Sequence, residues 1–169
     1  MFPPPPPWEG MHPLVVHFPI GLLLVVPVFI LLAIVIPKHG WWFSVSALIL
    51  LALGTSAACV AISTGKASRD VVEEGADKMF EVMEQHEDLV EKTRNVFAGL
   101  TVLYAAIVLL PLSINRLQTW KFSVPANLVF LALLMGANGM LANGAHLGGR
   151  LVHEFGVKSV LSPEASREQ

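Results

Sequence analysis

The chain has 169 residues, of which 54% are hydrophobic and 14% are charged, and its mean hydropathy is +0.62. This composition leaves too little polar surface for a soluble domain and indicates an integral membrane protein. A net charge of -2 and the lack of a basic patch with interleaved aromatic residues argue against nucleic-acid binding. The single cysteine, Cys59, excludes a disulfide framework, a cysteine-based metal site and a c-type haem attachment within the chain.

Four long apolar segments predict an all-α fold, an integral membrane four-helix bundle in one domain over residues 11–160. We expect membrane spans at about residues 14–36, 41–63, 95–112 and 125–145. The third and fourth helices are expected to extend beyond the membrane. A proline-rich tail precedes the domain at residues 1–10, and residues 161–169 have the composition of a disordered tail.

Small residues recur along the second span at spacings of four, three and four. They are Gly54, Ala58, Ala61 and Gly65. Small side chains at such spacings allow two helix backbones to approach closely. This stripe therefore predicts a tight helix contact.

The charged block at residues 66–92 precedes the third span and has a helical pattern. Apolar residues and one histidine recur at spacings of four and three, in the order Val72, Ala76, Met79, Met83, His86 and Val90. Residues so spaced share one face of a helix, while the acidic residues take the other face. The pattern therefore predicts that His86 points inward.

Four spans bring both termini and the charged block to the same side of the membrane. Five of the six histidines lie on that side, and only His39 is opposite. Rise per residue separates them into an inner layer, His17 and His146, and an outer layer, His12, His86 and His153. Ionisable residues at a membrane boundary favour a functional interpretation.

Ligation by histidine alone suits b-type haem, or alternatively a copper or zinc ion. The glycine-rich fourth span favours haem, because it offers a flat face to a porphyrin ring. We expect His17 to pair with His146, and His86 with His153, as ligands of the iron. Arg150 is the expected partner of a haem propionate, with Lys66 or Arg94 as further candidates.

Three stretches of this sequence resemble the domain-of-unknown-function family 2231, predicted four-span bacterial membrane proteins. The stretches are HPLVVHFPIGLLL from His12, HEDLVEKTRN from His86 and GAHLGGRLVHEFGV from Gly144. Members of that family occur alone or joined to c-type cytochrome and other redox modules. The resemblance implies a place near an electron-transfer chain, with a c-type cytochrome or a larger respiratory complex as partner.

These observations lead to one main hypothesis and one alternative. The main hypothesis is a multi-pass electron-transfer subunit of the bacterial inner membrane, whose histidine side faces the periplasm. The alternative is a non-catalytic scaffold or assembly subunit of a larger membrane complex, with at most a metal-ion site. We expect no catalytic activity from the isolated chain, because no nucleophile-base pair, phosphate loop or metalloprotease motif appears in it.

Overall fold

The structure is a computed structural model, and it describes residues 6–70, 72, 77–114 and 120–157. A short turn, His12–Val15 (α1), leads into the first long helix, His17–Val35 (α2). The other long helices are Gly40–Asp70 (α3), Asp77–Ser113 (α4) and Trp120–His153 (α5). All regular secondary structure in these described residues is helical, and they contain no strand. The all-α fold predicted from the sequence is confirmed.

Four stretches of the described chain are long and apolar enough to cross a membrane. They are His12–Val35, Pro37–Asp70, Asp77–Ser113 and Trp120–His153. The predicted extensions are present, since α4 begins at Asp77 and α5 continues to His153, each well outside its apolar part. The expected tail at residues 161–169 lies outside the described residues.

The long helices form a ring in which each helix packs against two neighbours. Following the ring, α2 packs on α3, α3 on α4, α4 on α5 and α5 on α2. The centre of the ring is filled by fully buried apolar side chains, including Leu23, Leu51, Phe97 and Leu134. Tyr104 is also buried there, and its hydroxyl donates a hydrogen bond of 2.8 Å to Oδ1 of Asn127.

The hairpin α2–α3 and the hairpin α4–α5 repeat the same pattern of burial. Four buried positions of α2 have buried counterparts in α4 at one constant offset along the chain: Pro19 and Thr93, Leu23 and Phe97, Val26 and Leu100, Ile30 and Tyr104. Buried positions of α3 have counterparts in α5 at a second constant offset: Ser44 and Asn127, Ala47 and Phe130, Leu51 and Leu134, Gly54 and Ala137, Thr55 and Asn138, Ala61 and Gly144. The bundle is therefore an internal repeat of two hairpins about a pseudo-twofold axis that runs along the bundle.

The small-residue stripe of α3 makes the close contact that its spacing predicts. Gly54 is buried against α2, and a Cβ atom at this position would lie 2.6 Å from Cδ2 of Leu23. Gly65, at the other end of the stripe, lies against the ring of His12. The stripe thus serves two purposes, because it packs α3 on α2 at one level and makes room for a histidine at another.

Candidate functional site

A cavity of about 370 Å³ lies at the end of the bundle where α2 and α4 begin and α3 and α5 end. Its floor is apolar and includes Leu23, Phe97 and Leu141, while two histidines, His12 and His86, stand in its wall. The cavity is thus the place where the two hairpins bring their histidines together.

His12 is held by α3 and by the turn that precedes α1. Ser68 of α3 donates a hydrogen bond to the backbone carbonyl of Glu9, which ties the N-terminal turn Trp8–Gly10 to α3. The ring then lies against Gly65, and its Nδ1 is 2.9 Å from the carbonyl oxygen of Ala61. A Cβ atom at position 65 would lie 3.1 Å from both Cε1 and Nδ1, so a larger residue would require the ring to move by a few tenths of an ångström.

His86 is held by α5 in the same way. Its Nδ1 is 3.0 Å from the carbonyl oxygen of Gly144, and its Cε1 lies 3.2 Å from the position that a Cβ atom of Gly148 would take. His86 stands at the same offset from His12 as the buried positions of α4 from those of α2. The residues that hold the two rings are also equivalent in the repeat. The carbonyl of Ala61 corresponds to that of Gly144, and Gly65 corresponds to Gly148, at the same offset that relates the buried positions of α3 and α5. The two rings are therefore equivalent positions of the internal repeat.

The hydrogen bonds to carbonyl oxygens fix the tautomer of both rings. A carbonyl oxygen only accepts, so Nδ1 must carry the proton and Nε2 of the neutral ring keeps its lone pair. Within the described residues, Nε2 of neither ring makes a hydrogen bond. Histidines that bind a metal through Nε2 are usually oriented by the same kind of Nδ1–H bond to a backbone carbonyl. Both rings are thus prepared to act as Nε2 ligands.

One rim of the cavity carries ion pairs that join α3 to α4. Lys66 lies 2.5 Å from Oε1 of Glu91 and 3.9 Å from Oε1 of Glu87, and Arg69 forms an ion pair with Glu87. Arg94 also lines the cavity, and its guanidinium is hydrogen-bonded to Oδ1 of Asn95 at 3.0 and 3.2 Å. Among the described residues, no carboxylate forms an ion pair with Arg94.

The other predicted site residues lie elsewhere. His17, His146 and His153 are exposed, and none of them lines the cavity. The structure therefore brings His12 and His86 together, and it does not bring the expected pairs His17 with His146 and His86 with His153 to this cavity. Arg150 is also absent from the lining and is bound instead to Glu154, with Nη2 2.9 Å from Oε2. This ion pair lowers the pKa of the Glu154 carboxyl through the hydrogen bond from Arg150.

The direction of each helix face explains where His17 and His146 lie. Successive residues of a helix are rotated by about 100°, so His17, two positions before the buried Pro19, lies on nearly the opposite face of α2. His146 follows the buried Gly144 by two residues and is turned outward for the same reason. His146 and His153 do share a face, as their spacing of seven predicts, but it is the outer face of α5.

The fold and the family comparison agree on the class of protein. Four apolar helices and a mostly apolar outer surface define a multi-pass membrane protein built as a four-helix bundle. The chain belongs to the family DUF2231, described as a predicted membrane protein, which matches residues 9–160. No curated protein and no solved structure gives a significant match.

Proposed function

We propose that this protein is a membrane electron-transfer subunit that binds a b-type haem between His12 and His86. The observation that carries the proposal is the equivalent support of the two rings, each with Nδ1 bonded to a backbone carbonyl and Nε2 left for a ligand. Binding of haem between histidines of different helices is an established use of four-helix bundles. The proposed pair comes from the two symmetry-related hairpins.

The number of ligands favours haem over a copper or zinc ion. A porphyrin supplies four of the iron ligands, so two imidazoles complete the coordination of the metal. A zinc ion in a protein takes about four ligands, of which at least three come from the chain. No group of three or more histidine, cysteine, aspartate or glutamate side chains that could hold a metal ion occurs among the described residues.

The cavity has a mostly apolar lining with basic groups at its rim, which suits a flat apolar ligand with acidic groups. Its volume of about 370 Å³ falls within the range of roughly 300–1,000 Å³ that is usual for ligand pockets. Gly65 and Gly148 remove side-chain volume beside the two rings, and Arg94 stands at the rim without a carboxylate ion partner in the described chain. A guanidinium of this kind binds carboxylates well, including the propionates of haem.

When bound, the haem would supply one-electron transfer, while the protein sets its position and surroundings. His12 and His86 would hold the iron from two separate hairpins. The apolar floor formed by Leu23, Phe97 and Leu141 would exclude water from that side of the ligand. The two neutral imidazoles would add no charge to the iron.

An absorption spectrum of the purified protein tests the proposal. We expect a Soret band after expression with added haem precursor, and loss of that band when His12→Ala and His86→Ala are combined. The matched control combines His17→Ala and His146→Ala, which removes two exposed histidines, and it should keep the band. A wild-type protein without a Soret band after haem reconstitution, or a band lost only in the control, would show that the proposal is wrong.

We also propose that the histidine side faces the periplasm of a bacterial inner membrane, where the partner is a c-type cytochrome. What supports this orientation is the basic character of the two connections on the opposite side, which hold Lys38, Arg116 and Lys121 without any acidic residue. Reporter fusions after Ser113 and after Val157 would test it. Periplasmic activity at the first position and cytoplasmic activity at the second would overturn it.

The outer face of α5 favours a second candidate, a scaffold subunit of a larger membrane complex. Ala132, Gly136, Gly139, Asn143 and His146 are all exposed on this face, and they follow one another at spacings of four and three. The equivalent positions of α3 include Ile49, Leu53 and Val60, large apolar residues suited to lipid. For a scaffold, Gly139→Leu should release a co-purifying partner, while the variant without His12 and His86 should retain it.

A further inference from the structure

The cavity is bounded by two seams between helices that differ in chemistry. The seam between α3 and α4 is closed by the ion pairs of Lys66 and Arg69 with Glu87 and Glu91. Among the described residues that line the cavity, those assigned to the seam between α2 and α5 are apolar. They are Pro13, Ile20, Ala145 and Val152.

Helix geometry assigns these apolar residues to the α2–α5 seam. Leu22 contacts α3, because its Cβ lies 3.3 Å from the position of a Cβ atom at Gly54. Ile20 is two residues earlier and so points to nearly the opposite flank of α2. On α5, Gly144 faces Val90 of α4, and the next residue, Ala145, is rotated by about 100° towards α2.

The internal repeat allows the two seams to be compared residue by residue. Charged residues at the α3–α4 seam have apolar residues at the equivalent positions of the α2–α5 seam. Arg94 of α4 corresponds to Ile20 of α2, and Arg69 of α3 corresponds to Val152 of α5. Glu87 likewise corresponds to Pro13. The hairpins α2–α3 and α4–α5 bury equivalent positions, so their packing is the same. The lack of charged residues at the α2–α5 seam therefore does not result from a different packing.

The apolar seam also reaches the outer surface. Ala145, Pro13 and Val152 line the cavity and are exposed, with 54% of Val152 accessible. Phe18 and Leu14 are also exposed at the start of the first helices, and so is His17, which follows Pro13 by four residues and precedes Ile20 by three. An opening of this kind meets acyl chains more favourably than water.

We propose that the α2–α5 seam is a lateral portal through which an amphipathic ligand with a broad apolar body and acidic groups enters from the bilayer. The identification of that ligand as haem rests on the proposed function, whereas the portal itself rests on the lining. In the bound state the acidic edge lies at Arg94 and the charged rim, and the apolar edge fills the seam between Ile20 and Ala145.

Transfer of haemin from lipid vesicles to the reconstituted apoprotein tests the portal. Ala145→Phe places a bulky ring in the seam and should slow the appearance of the Soret band by about tenfold. Its matched control is Ile62→Phe, the equivalent position of the repeat at the α3–α4 seam, which should leave the rate within about twofold of wild type. Equal rates in Ala145→Phe and wild type, or equal slowing in both variants, would overturn the portal.

A second measurement needs no haem and so separates the two proposals. In a Cys59→Ser background, which removes the single cysteine, Ala145→Cys and Ile62→Cys are labelled in vesicles with an apolar or a charged maleimide. The portal requires that the apolar reagent label position 145 faster than the charged one, and faster than it labels position 62. Without this preference the portal is wrong. If the labelling preference is observed but the wild-type protein takes up no haem, the portal is supported and the proposed function is wrong.

Discussion

Gly148 lies so close to His86 that a Cβ atom on the glycine would stand 3.2 Å from Cε1 of the ring. Gly148→Ala should therefore displace the imidazole and weaken its bond to the carbonyl of Gly144. We expect a shifted or weakened Soret band with little loss of folding. The control is Gly149→Ala, where nothing lies within 4 Å of the added methyl group and the spectrum should stay unchanged. Identical spectra of the two variants would contradict the role given to Gly148.

The buried hydroxyl of Tyr104 provides a test of core packing. It donates to Oδ1 of Asn127 at 2.8 Å, and the ring stacks on Phe130 with centroids 4.3 Å apart. Tyr104→Phe keeps the stacking and removes the hydrogen bond, so it should lower the free energy of unfolding by about 0.5–1.7 kcal/mol. Unfolding in mixed detergent micelles measures this change. Ser46→Ala, which removes an exposed hydroxyl bonded to its own helix, should have a smaller effect.

The contact between α2 and α3 should be sensitive to a single methyl group. Gly54→Ala would place a carbon 2.6 Å from Cδ2 of Leu23 and 3.3 Å from Cβ of Leu22. We expect a loss of about 1–3 kcal/mol from overpacking, measured by the same unfolding experiment. Gly136→Ala meets nothing within 4 Å and should be neutral or gain up to about 1 kcal/mol from helix propensity. A Gly54→Ala variant as stable as the wild type would mean that the side chain of Leu23 moves aside without cost.

The two arginines named as partners of a propionate should behave differently. Arg94 lines the cavity, whereas Arg150 is bound to Glu154 outside it. Arg94→Gln should weaken haem binding about tenfold, which corresponds to the loss of about 1.4 kcal/mol. Arg150→Gln should leave it unchanged. Haem titration of the apoprotein measures both affinities, and a larger loss in Arg150→Gln would reverse the assignment.

The ion pair at the end of α5 has a predictable pH dependence. Arg150 lowers the pKa of Glu154 below its ordinary value of 4.5, so Arg150→Gln should raise that pKa, as followed by nuclear magnetic resonance of the carboxyl group. Because the folded-state pKa is the lower one, the pair stabilises the folded state above the ordinary pKa. This contribution is lost as the pH falls through the folded-state value. An unchanged pKa in the variant would mean that the pair does not form in solution.

The sequence predicts the helices, and it places both cavity histidines, His12 and His86, in the same predicted layer, although it pairs His86 with His153. His86 belongs to an amphipathic stretch in which Met79, Met83 and Val90 mark the inner face, so its direction can be inferred from the period. The family expectation is confirmed as well, by the match over residues 9–160. The haem, its partner and the orientation in the membrane stay predictions.

The choice between His12 and His17 could not be made from sequence, because the first span is apolar on every side. Because α2 has no polar face, its sequence pattern does not show which side of the helix points inward. Only the predicted depth in the membrane favoured His17. The buried set Leu23, Val26 and Ile30 supplies that direction only in the folded bundle. Of the glycines of α5, those at 136 and 139 are exposed, whereas Gly144 and Gly148 adjoin His86.

The internal repeat implies that the chain can be divided. The hairpin α2–α3 and the hairpin α4–α5 each enter and leave the membrane on the same side. One ring of the cavity belongs to the turn α1, which leads into α2, and the other belongs to α4. Two fragments that end and begin between Asp70 and Asp77 should therefore insert independently and find each other in the bilayer. Since neither fragment has both imidazoles, the colour of a shared haem would report their complementation directly.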